Sequence, residues 1–195
     1  MTGIVRGPAA AMGKPWDALT IGHSTRSLEA FVAILESAGA GGVVDVRTVP
    51  RSRHNPQFNR DVLPATLAAA GLKYVHTPDL GGLRRPVEGS VNGGWRNASF
   101  RGFADYMQTA AFADAMDELV ALAASTTPAL MCAEAVPWRC HRSLIADALL
   151  ARGFAVGHIM GGPPIRAHVL TRFARVEGAR VWYPAPEEVT VSGQP

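Results

Sequence analysis

The sequence predicts a single-domain α/β protein with a mainly parallel sheet flanked by helices, a Rossmann-like three-layer arrangement. Short apolar runs of strand length alternate with segments whose apolar residues recur at helical spacing. The chain of 195 residues is long enough for one domain with a buried core. Its composition, 48% hydrophobic and 18% charged, is typical of a globular protein.

The domain is expected to span residues 18–184, between a flexible N-terminal segment (1–17) and a C-terminal tail (185–195). No apolar run approaches the roughly 18 residues of a membrane span, and residues 1–16 lack the apolar core of a secretory signal. A cytoplasmic location without membrane contact is therefore expected. The two cysteines, Cys132 and Cys140, are expected to be thiols, with a transient disulfide as an alternative.

The first half of the chain predicts three strands and two helices. Residues 18–22 form a strand, and Ser27 then resembles an N-cap for a helix that stops at Gly39. Residues 42–46 form the second strand, followed by a polar, proline-punctuated loop over 47–56. A helix over 61–70 ends at Gly71, and 73–76 reads as the third strand. The long loop over 79–99 is typical of lids and binding loops.

The second half repeats the alternation. A short helical piece at 103–108 precedes a longer helix that Thr109 caps and that runs through Leu122. Residues 129–133 form a buried strand, and apolar residues at helical spacing follow over 143–150. Residues 155–159 read as the last buried strand. Beyond Gly161 the pattern fades, apart from an edge strand at 180–184.

Several polar residues come directly after the predicted strands. They are His23 and Ser24 after the first strand, Arg47 after the second, residues 77–79 after the third, and Glu134 after the fourth. Because ligands of open α/β sheets bind outside the carboxyl ends of the strands, these residues predict a site at that edge.

The turn before the 143–150 helix carries the strongest chemical signal. Arg139, His141 and Arg142 place cationic groups where the helix dipole is already positive, which is favourable when an anion is held there. Seventeen of the 19 basic residues are arginine, which suits phosphate and carboxylate, although a GC-rich genome explains the same excess. The sequence therefore predicts an anion site, with Arg47, Arg139 and Arg142 as clamps beside His23 and Ser24.

Three residues are candidates for catalysis. Cys140, flanked by basic residues at a helix start, is a candidate nucleophile with a lowered pKa. Glu134 or His141 is the candidate acid or base. The alternatives are structural: a packed thiol for Cys140, and an ion pair with Arg139 or Arg142 for Glu134. Asp45 and Arg47 share one side of an extended segment, so they predict either an ion pair that orients Arg47 or a purely structural pair.

Metal binding is a further alternative, with Cys132, Cys140 and His141, together with His23, as a tetrahedral set. The chain has no C-x-x-C or H-x-x-x-H pair, and neighbouring side chains such as Cys140 and His141 diverge on a helix. The sequence therefore assigns no metal ligand.

A basic rim beside the site would suit a nucleic acid. Phe58, Trp95 and Trp138 would offer stacking faces next to it. A solvated loop surface explains the same residues. The candidate rim residues are Arg51, Arg53, Arg84, Arg85, Arg101 and Tyr106.

Five motifs together resemble the DUF488 family. They are TIGHS (20–24), DVR (45–47) with Pro50 and Ser52, LGG (80–82), FRGFADYM (100–107), and C-x-E (132–134) followed by CHR (140–142). The resemblance spans about residues 19–183. The family is named for its unknown function, so the resemblance implies no reaction.

The residues favour an enzyme that acts on a phosphate-bearing or other anionic ligand, a nucleotide or nucleic acid, with a hydrolase or nucleic-acid-processing enzyme as the class. A non-catalytic nucleic-acid or ligand-binding regulatory module is the alternative from another class. The sequence identifies no cofactor and no oligomeric state.

Overall fold

A computed structural model describes residues 13–186 of the chain. The helices within this range are α1 (Leu28–Ser37), α2 (Leu63–Ala69), α3 (Ala98–Tyr106), α4 (Ala110–Ser125) and α5 (Arg142–Ala151). The strands are β1 (Ala18–Gly22), β2 (Gly42–Asp45), β3 (Lys73–His76), β4 (Pro128–Cys132), β5 (Val156–Ile159), β6 (Arg166–Ala167), β7 (Arg175–Glu177) and β8 (Arg180–Trp182). Short 3₁₀ turns occupy Pro56–Phe58, Pro78–Leu80 and Pro137–Arg139.

Helix boundaries follow local capping chemistry. The hydroxyl of Ser27 accepts a hydrogen bond from the Ala30 N–H at 3.2 Å at the start of α1. Thr109 does the same for α4, accepting from the Phe112 N–H at 3.3 Å. Gly39, at φ +68°, terminates α1 in a conformation that costs glycine little. The two predicted N-caps are confirmed.

Six strands form one sheet in the order β3-β2-β4-β1-β5-β6. The first five are parallel, and β6 pairs antiparallel with β5. The predicted fold class, a mainly parallel sheet flanked by helices, is confirmed. The expected edge strand at 180–184 pairs differently: β8 forms a separate hairpin with β7, because the two-residue turn at Gly178 (φ +57°) favours local pairing.

Two hydrophobic clusters fill the spaces on either side of the sheet. Helices α1 and α2 pack on one face through residues such as Leu35 and Leu67. Helices α3, α4 and α5 pack on the other face, through Phe103, Met116 and Leu144. The sheet is therefore the middle of three layers, with its carboxyl edge left for the connecting loops.

The position of the site follows from the topology. β1 and β4 are neighbours in the sheet, but the helices that follow them, α1 and α5, lie on opposite faces. When the chain leaves adjacent parallel strands toward opposite faces, it leaves a crevice at their carboxyl ends. The two chain segments stay joined there, since the His23 N–H donates to the Cys132 carbonyl at 2.9 Å and the Ser24 N–H to the Ala133 carbonyl at 3.0 Å.

A buried hydrogen-bond chain fixes α5 against the sheet. The Thr20 hydroxyl lies 2.7 Å from Nδ1 of His158, and His158 Nε2 lies 2.9 Å from Nδ1 of His168. His168 Nε2 bonds Asp147 on α5 at 2.8 Å, and the Tyr183 hydroxyl donates to the same carboxylate. Burial lowers the pKa of His158 to about 4, so its ring is neutral at pH 7. These hydrogen bonds fix the position of α5, and with it the turn that carries Cys140, relative to the sheet.

Between residues 13 and 186, no helix is long and apolar enough to cross a membrane. Residues 1–12 and 187–195 lie outside the described residues, and they hold most of the flexible N-terminal segment and the tail expected from the sequence.

Candidate functional site

A cavity of about 690 Å³ opens at the carboxyl edge of the sheet, among the segments that follow β1, β2 and β4. Its volume lies in the range of small-molecule sites, about 300–1,000 Å³. Eight residues predicted for the site line this cavity: His23, Ser24, Arg47, Arg51, Glu134, Arg139, Cys140 and His141. The predicted convergence of strand ends thus produces one cavity, whereas residues 77–79 stay outside its lining.

The remaining predicted residues lie elsewhere. Arg142 is fully buried beneath the cavity and is not part of its wall. The predicted rim residues Arg53, Arg84, Arg85, Arg101 and Tyr106 also lie outside the lining. Among the predicted rim residues, only Arg51 reaches the cavity.

Arg47 is held by Asp45 in a buried, two-pronged ion pair. Its Nε and Nη2 atoms donate to the two carboxylate oxygens at 2.8 and 2.5 Å, and Nη2 also donates to the Phe58 carbonyl at 2.7 Å. The Tyr74 hydroxyl donates to the same carboxylate at 2.8 Å. The predicted Asp45–Arg47 pair is present, and it neutralises the guanidinium that would otherwise serve as an anion clamp.

His23 is neutral and fully engaged. Its Nδ1 lies 2.9 Å from the Ser24 carbonyl, which only accepts hydrogen bonds, so Nδ1 carries the proton. Nε2 therefore accepts from Arg47 Nη1 at 3.3 Å. Burial, followed by the charge of Arg47 against the opposing Ser24 hydrogen bond, lowers the pKa of His23 to about 4. The ring stacks on Phe58 at 4.3 Å and positions Arg47 without contributing positive charge.

The two cysteines and His141 come together where β4 ends and α5 begins. Helix α5 starts at Arg142, so Cys140 and His141 precede it, and Cys140 has extended backbone angles (φ −137°, ψ 142°). The expected divergence of these neighbouring side chains is therefore wrong, because it assumed helical geometry. One ligand atom from each of Cys132, Cys140 and His141 lies within 4.8 Å of the others.

Arg142 is a buried cation that lies against Cys140. Its side chain is fully buried, and within residues 13–186 no carboxylate lies within ion-pair distance of it. Its Nε donates to Cys140 Sγ at 3.3 Å, and its Nη2 donates to the Glu134 main-chain carbonyl at 2.5 Å. Because buried arginines are almost never left without a partner, the Cys140 thiolate is the counter-charge.

The thiols therefore divide into a charged and a neutral one. A hydrogen bond from Cys132, together with His141 and Arg142, lowers the pKa of Cys140 to about 3 against the opposing effect of burial. The same hydrogen bond and burial raise the pKa of Cys132 well above its usual range. Neither cysteine is in a disulfide. The expected lowering of the Cys140 pKa thus has a specific source in the contacts of Cys140 with Cys132, His141 and Arg142.

His141 points one defined nitrogen at Cys140. Its Nε2 lies 3.1 Å from the Val46 carbonyl, so Nε2 carries a proton, and Nδ1 faces Cys140 Sγ at 3.7 Å. Phe103 packs on the ring with centroids 5.0 Å apart. The imidazole is therefore oriented by groups outside the cavity, which suits either proton transfer or ligation at Nδ1.

Two glycines of the predicted motifs allow the segments around Cys140 and His141 to pack closely, because a side chain at either position would overlap its neighbours. A Cβ on Gly22 would lie 2.0 Å from the Glu134 carbonyl oxygen, so β1 can end directly beneath the segment after β4. A Cβ on Gly82 would lie 2.5 Å from His141 Nδ1. The loop that carries Gly82 is itself anchored by buried Asp105, which accepts from the Val87 N–H at 3.0 Å and from Asn92 Nδ2 at 2.8 Å.

Replacing Gly82 with alanine is expected to displace His141, because the added Cβ overlaps the imidazole. Overpacking of this kind costs about 1–3 kcal/mol, and each kcal/mol lowers Tm by about 2–4 °C in a chain of this size. Thermal unfolding measures the loss. Gly161→Ala is the matched control, since a Cβ there meets nothing within 4 Å. Equal Tm values for the two variants would contradict the packing described for Gly82.

Three charged side chains in the cavity have no partner within the described chain. The guanidinium groups of Arg51 and Arg139 are exposed and make no hydrogen bond or ion pair among residues 13–186. The half-buried Glu134 carboxylate likewise pairs with neither Arg139 nor Arg142. The structural alternative considered for Glu134, a partner for Arg139 or Arg142, therefore holds only for its main chain, whose carbonyl accepts from Arg142.

The rim expected for nucleic acid is not continuous. Arg84 lies over the Tyr106 ring at 3.6 Å and donates to the Gly81 carbonyl at 3.1 Å, so it fixes its own loop. Phe58 is fully buried, which contradicts its expected role as a stacking face. Trp138 remains 61% exposed, and Arg53 and Arg85 are exposed as well.

Sequence reasoning missed part of the cavity wall, namely Thr25, Thr48, Val49, Asn55, Leu83 and Ser99. All but Ser99, which lies in the first turn of α3, are on loops, where no periodicity reveals which side chains face a ligand. The motif residues offered the available signal, since Ser52, Gly82 and Phe100 all line the cavity.

A family model described as Domain of unknown function DUF488 matches residues 27–149, which is more than half of the chain. The matched range contains the segments after β2 and β4, with Arg47, Glu134, Cys140 and His141. No curated protein and no solved structure matches the chain.

Proposed function

The chain belongs to the DUF488 family, and from the geometry of its site we propose that it is an enzyme acting on a phosphate-bearing or otherwise anionic small molecule. The observation that carries the proposal is the content of one cavity: two unpaired guanidinium groups, an unpaired carboxylate and the Cys140–His141 pair. A cleft that gathers candidate anion-binding, acid–base and nucleophilic groups is the usual arrangement of an active site.

The roles follow from the contacts. Arg51 and Arg139 bind the anionic group of the ligand, since their donors are free, whereas Arg47 and Arg142 are committed to Asp45 and Cys140. Glu134 is the candidate acid or base, because its carboxylate lines the cavity. Cys140 contributes its sulfur to the cavity wall just before α5 begins. Arg47 and His23 are positioning residues in this proposal.

A nucleotide-sized ligand is favoured over a nucleic acid. The cavity is large enough for a nucleotide. Two residues expected to contact a nucleic acid are engaged within the protein instead: Arg84 lies over the Tyr106 ring, and Phe58 is fully buried. A non-catalytic module would need neither the Cys140–His141 pair nor a carboxylate in the wall. Binding of an oligonucleotide along Arg53 and Arg85 would instead fall steeply with salt, by about 0.7 log units in affinity per log unit of salt for each phosphate neutralised.

Arg139→Ala is expected to weaken the binding of a phosphate ligand by about 10- to 100-fold, because hydrogen bonds to charged groups contribute about 1.5–3 kcal/mol. Calorimetric titration with AMP and with pyrophosphate measures this loss, and Tm should stay within about 1–2 °C of the parent because the side chain is exposed.

Arg53→Ala is the matched control for this experiment, since it removes the same charge from an exposed arginine outside the cavity. An equal loss of affinity in the two variants would show that only net charge matters. Absence of binding by the parent chain to either probe would contradict the proposed ligand class.

A further inference from the structure

We propose that Cys132, Cys140 and His141 bind one zinc ion whose fourth coordination position opens into the cavity. The proposal deepens the proposed function, on which it rests for the ligand that would meet the ion. It assigns the sulfur of Cys140 to metal ligation.

The separations of the donor atoms suit a tetrahedral ion. Zinc binds sulfur at about 2.3 Å and imidazole nitrogen at about 2.0–2.1 Å, so ligand atoms around it lie about 3.5–3.8 Å apart. Cys140 Sγ and His141 Nδ1 are 3.7 Å apart, and Cys132 Sγ completes a triangle with no side longer than 4.8 Å. A movement of about 1 Å by the half-buried Cys132 side chain closes the set.

The surroundings orient these ligands as zinc sites require. The Val46 carbonyl fixes the proton of His141 on Nε2, which leaves Nδ1 free for a metal. Such a hydrogen bond from the distal imidazole nitrogen is a regular feature of zinc-binding histidines. The Arg142 Nε–H donates to Cys140 Sγ and supports it as a thiolate. Thiolate sulfur is a preferred ligand of zinc, and metal binding releases the proton of any thiol that it engages.

Three protein ligands and one open position are the composition of catalytic rather than structural zinc sites. Both cysteines and His141 line the cavity, so the open position faces the same space as Glu134 and Arg139. An ion there would meet water or the anionic group of the ligand. An ion in this position would add an electrophile to the cavity that Glu134 also lines.

The test uses the full chain, reduced and freed of metal with a chelator, and titrated with Zn²⁺ against a chromogenic competitor. One equivalent is expected to bind. Co²⁺ in place of Zn²⁺ is expected to give the sulfur-to-cobalt charge-transfer band and the visible bands of a tetrahedral thiolate site. Cys132→Ser and His141→Ala should each weaken zinc binding by at least about 100-fold, since even groups outside the ligand set cost 10- to 100-fold. Cys132→Ser is preferred to Cys140→Ser, which leaves buried Arg142 without its counter-charge.

Arg53→Ala is the control and should still bind one equivalent of zinc, because Arg53 is exposed and lies outside the cavity. Failure of the reduced parent chain to bind zinc, or unchanged affinity in both ligand variants, would overturn the metal site. Formation of a Cys132–Cys140 disulfide in place of zinc binding would do the same. If zinc fails to bind while Arg139→Ala weakens AMP binding, the metal site is wrong and the proposed function stands. The reverse result would leave the metal site in place without the proposed ligand class.

Discussion

Replacing Asp45 with asparagine is expected to lower the free energy of unfolding by about 3–5 kcal/mol, because it leaves the Arg47 guanidinium buried without its counter-charge. The Asp45 side chain is fully buried, and it accepts hydrogen bonds from Arg47 and from Tyr74. A loss of this size is a large part of the 5–15 kcal/mol by which domains are typically stable. Urea unfolding monitored by circular dichroism measures it.

Two further variants make the result specific. Asp114→Asn removes the same charge from an exposed position on α4 and should change the free energy of unfolding by less than about 0.5 kcal/mol. Adding Arg47→Met to Asp45→Asn should restore part of the stability, because the uncompensated charge is then gone. A loss no greater than that of Asp114→Asn would show that Arg47 has another counter-charge.

The Cys140 thiol of the metal-free protein is expected to react with iodoacetamide at a rate that is nearly constant from about pH 5 to pH 8. An ordinary thiol has a pKa of about 8.5, is about 3% ionised at pH 7, and loses reactivity about tenfold for each pH unit below that. With its pKa lowered to about 3, Cys140 stays ionised across this range. Because the pKa of Cys140 is lowered, its thiolate persists above about pH 3 and is protonated only as the pH falls through that value.

The shape of the pH profile is the measurement that decides the matter, since thiolates of low pKa are also intrinsically less nucleophilic and absolute rates mislead. Cys132→Ser provides a single-thiol chain that keeps a hydrogen-bond donor beside Cys140. Cys132→Ala removes that donor and should move the lower limit of the plateau to higher pH. A profile in Cys132→Ser that rises tenfold per unit up to about pH 8.5 would return Cys140 to the role of a packed, neutral thiol.

Periodicity predicted the sheet and helices because burial on both sides of a parallel sheet leaves a clear apolar pattern. The strands near residues 18, 42, 128 and 156 were predictable in this way, whereas β3 lies at the sheet edge and is exposed or half-buried. β6 was not, because it has only two residues and both are exposed. The pairing of β8 depended on the turn at Gly178, which local patterns describe poorly.

The position of the site was predictable from the sequence, but which of its charged side chains are paired within the protein was not. Parallel strand ends must share an edge, so His23, Arg47 and Glu134 could be brought together from sequence. The sequence could not show that Asp45 occupies Arg47 or that Cys140 occupies Arg142, since both follow from side-chain burial. The closeness of Cys140 to His141 depended on where α5 begins, a boundary uncertain by one or two residues in any assignment.

Because Arg142 pairs with Cys140, the chemical state of the Cys140 sulfur affects the stability of the fold. Any event that cancels the negative charge on Sγ, whether carbamidomethylation, S-nitrosylation or protonation in strong acid, strands a cation in the interior at the head of α5. Covalent occupancy of the site is therefore thermodynamically linked to unfolding. An electrophile that modifies Cys140 is therefore expected to lower the free energy of unfolding of the whole protein.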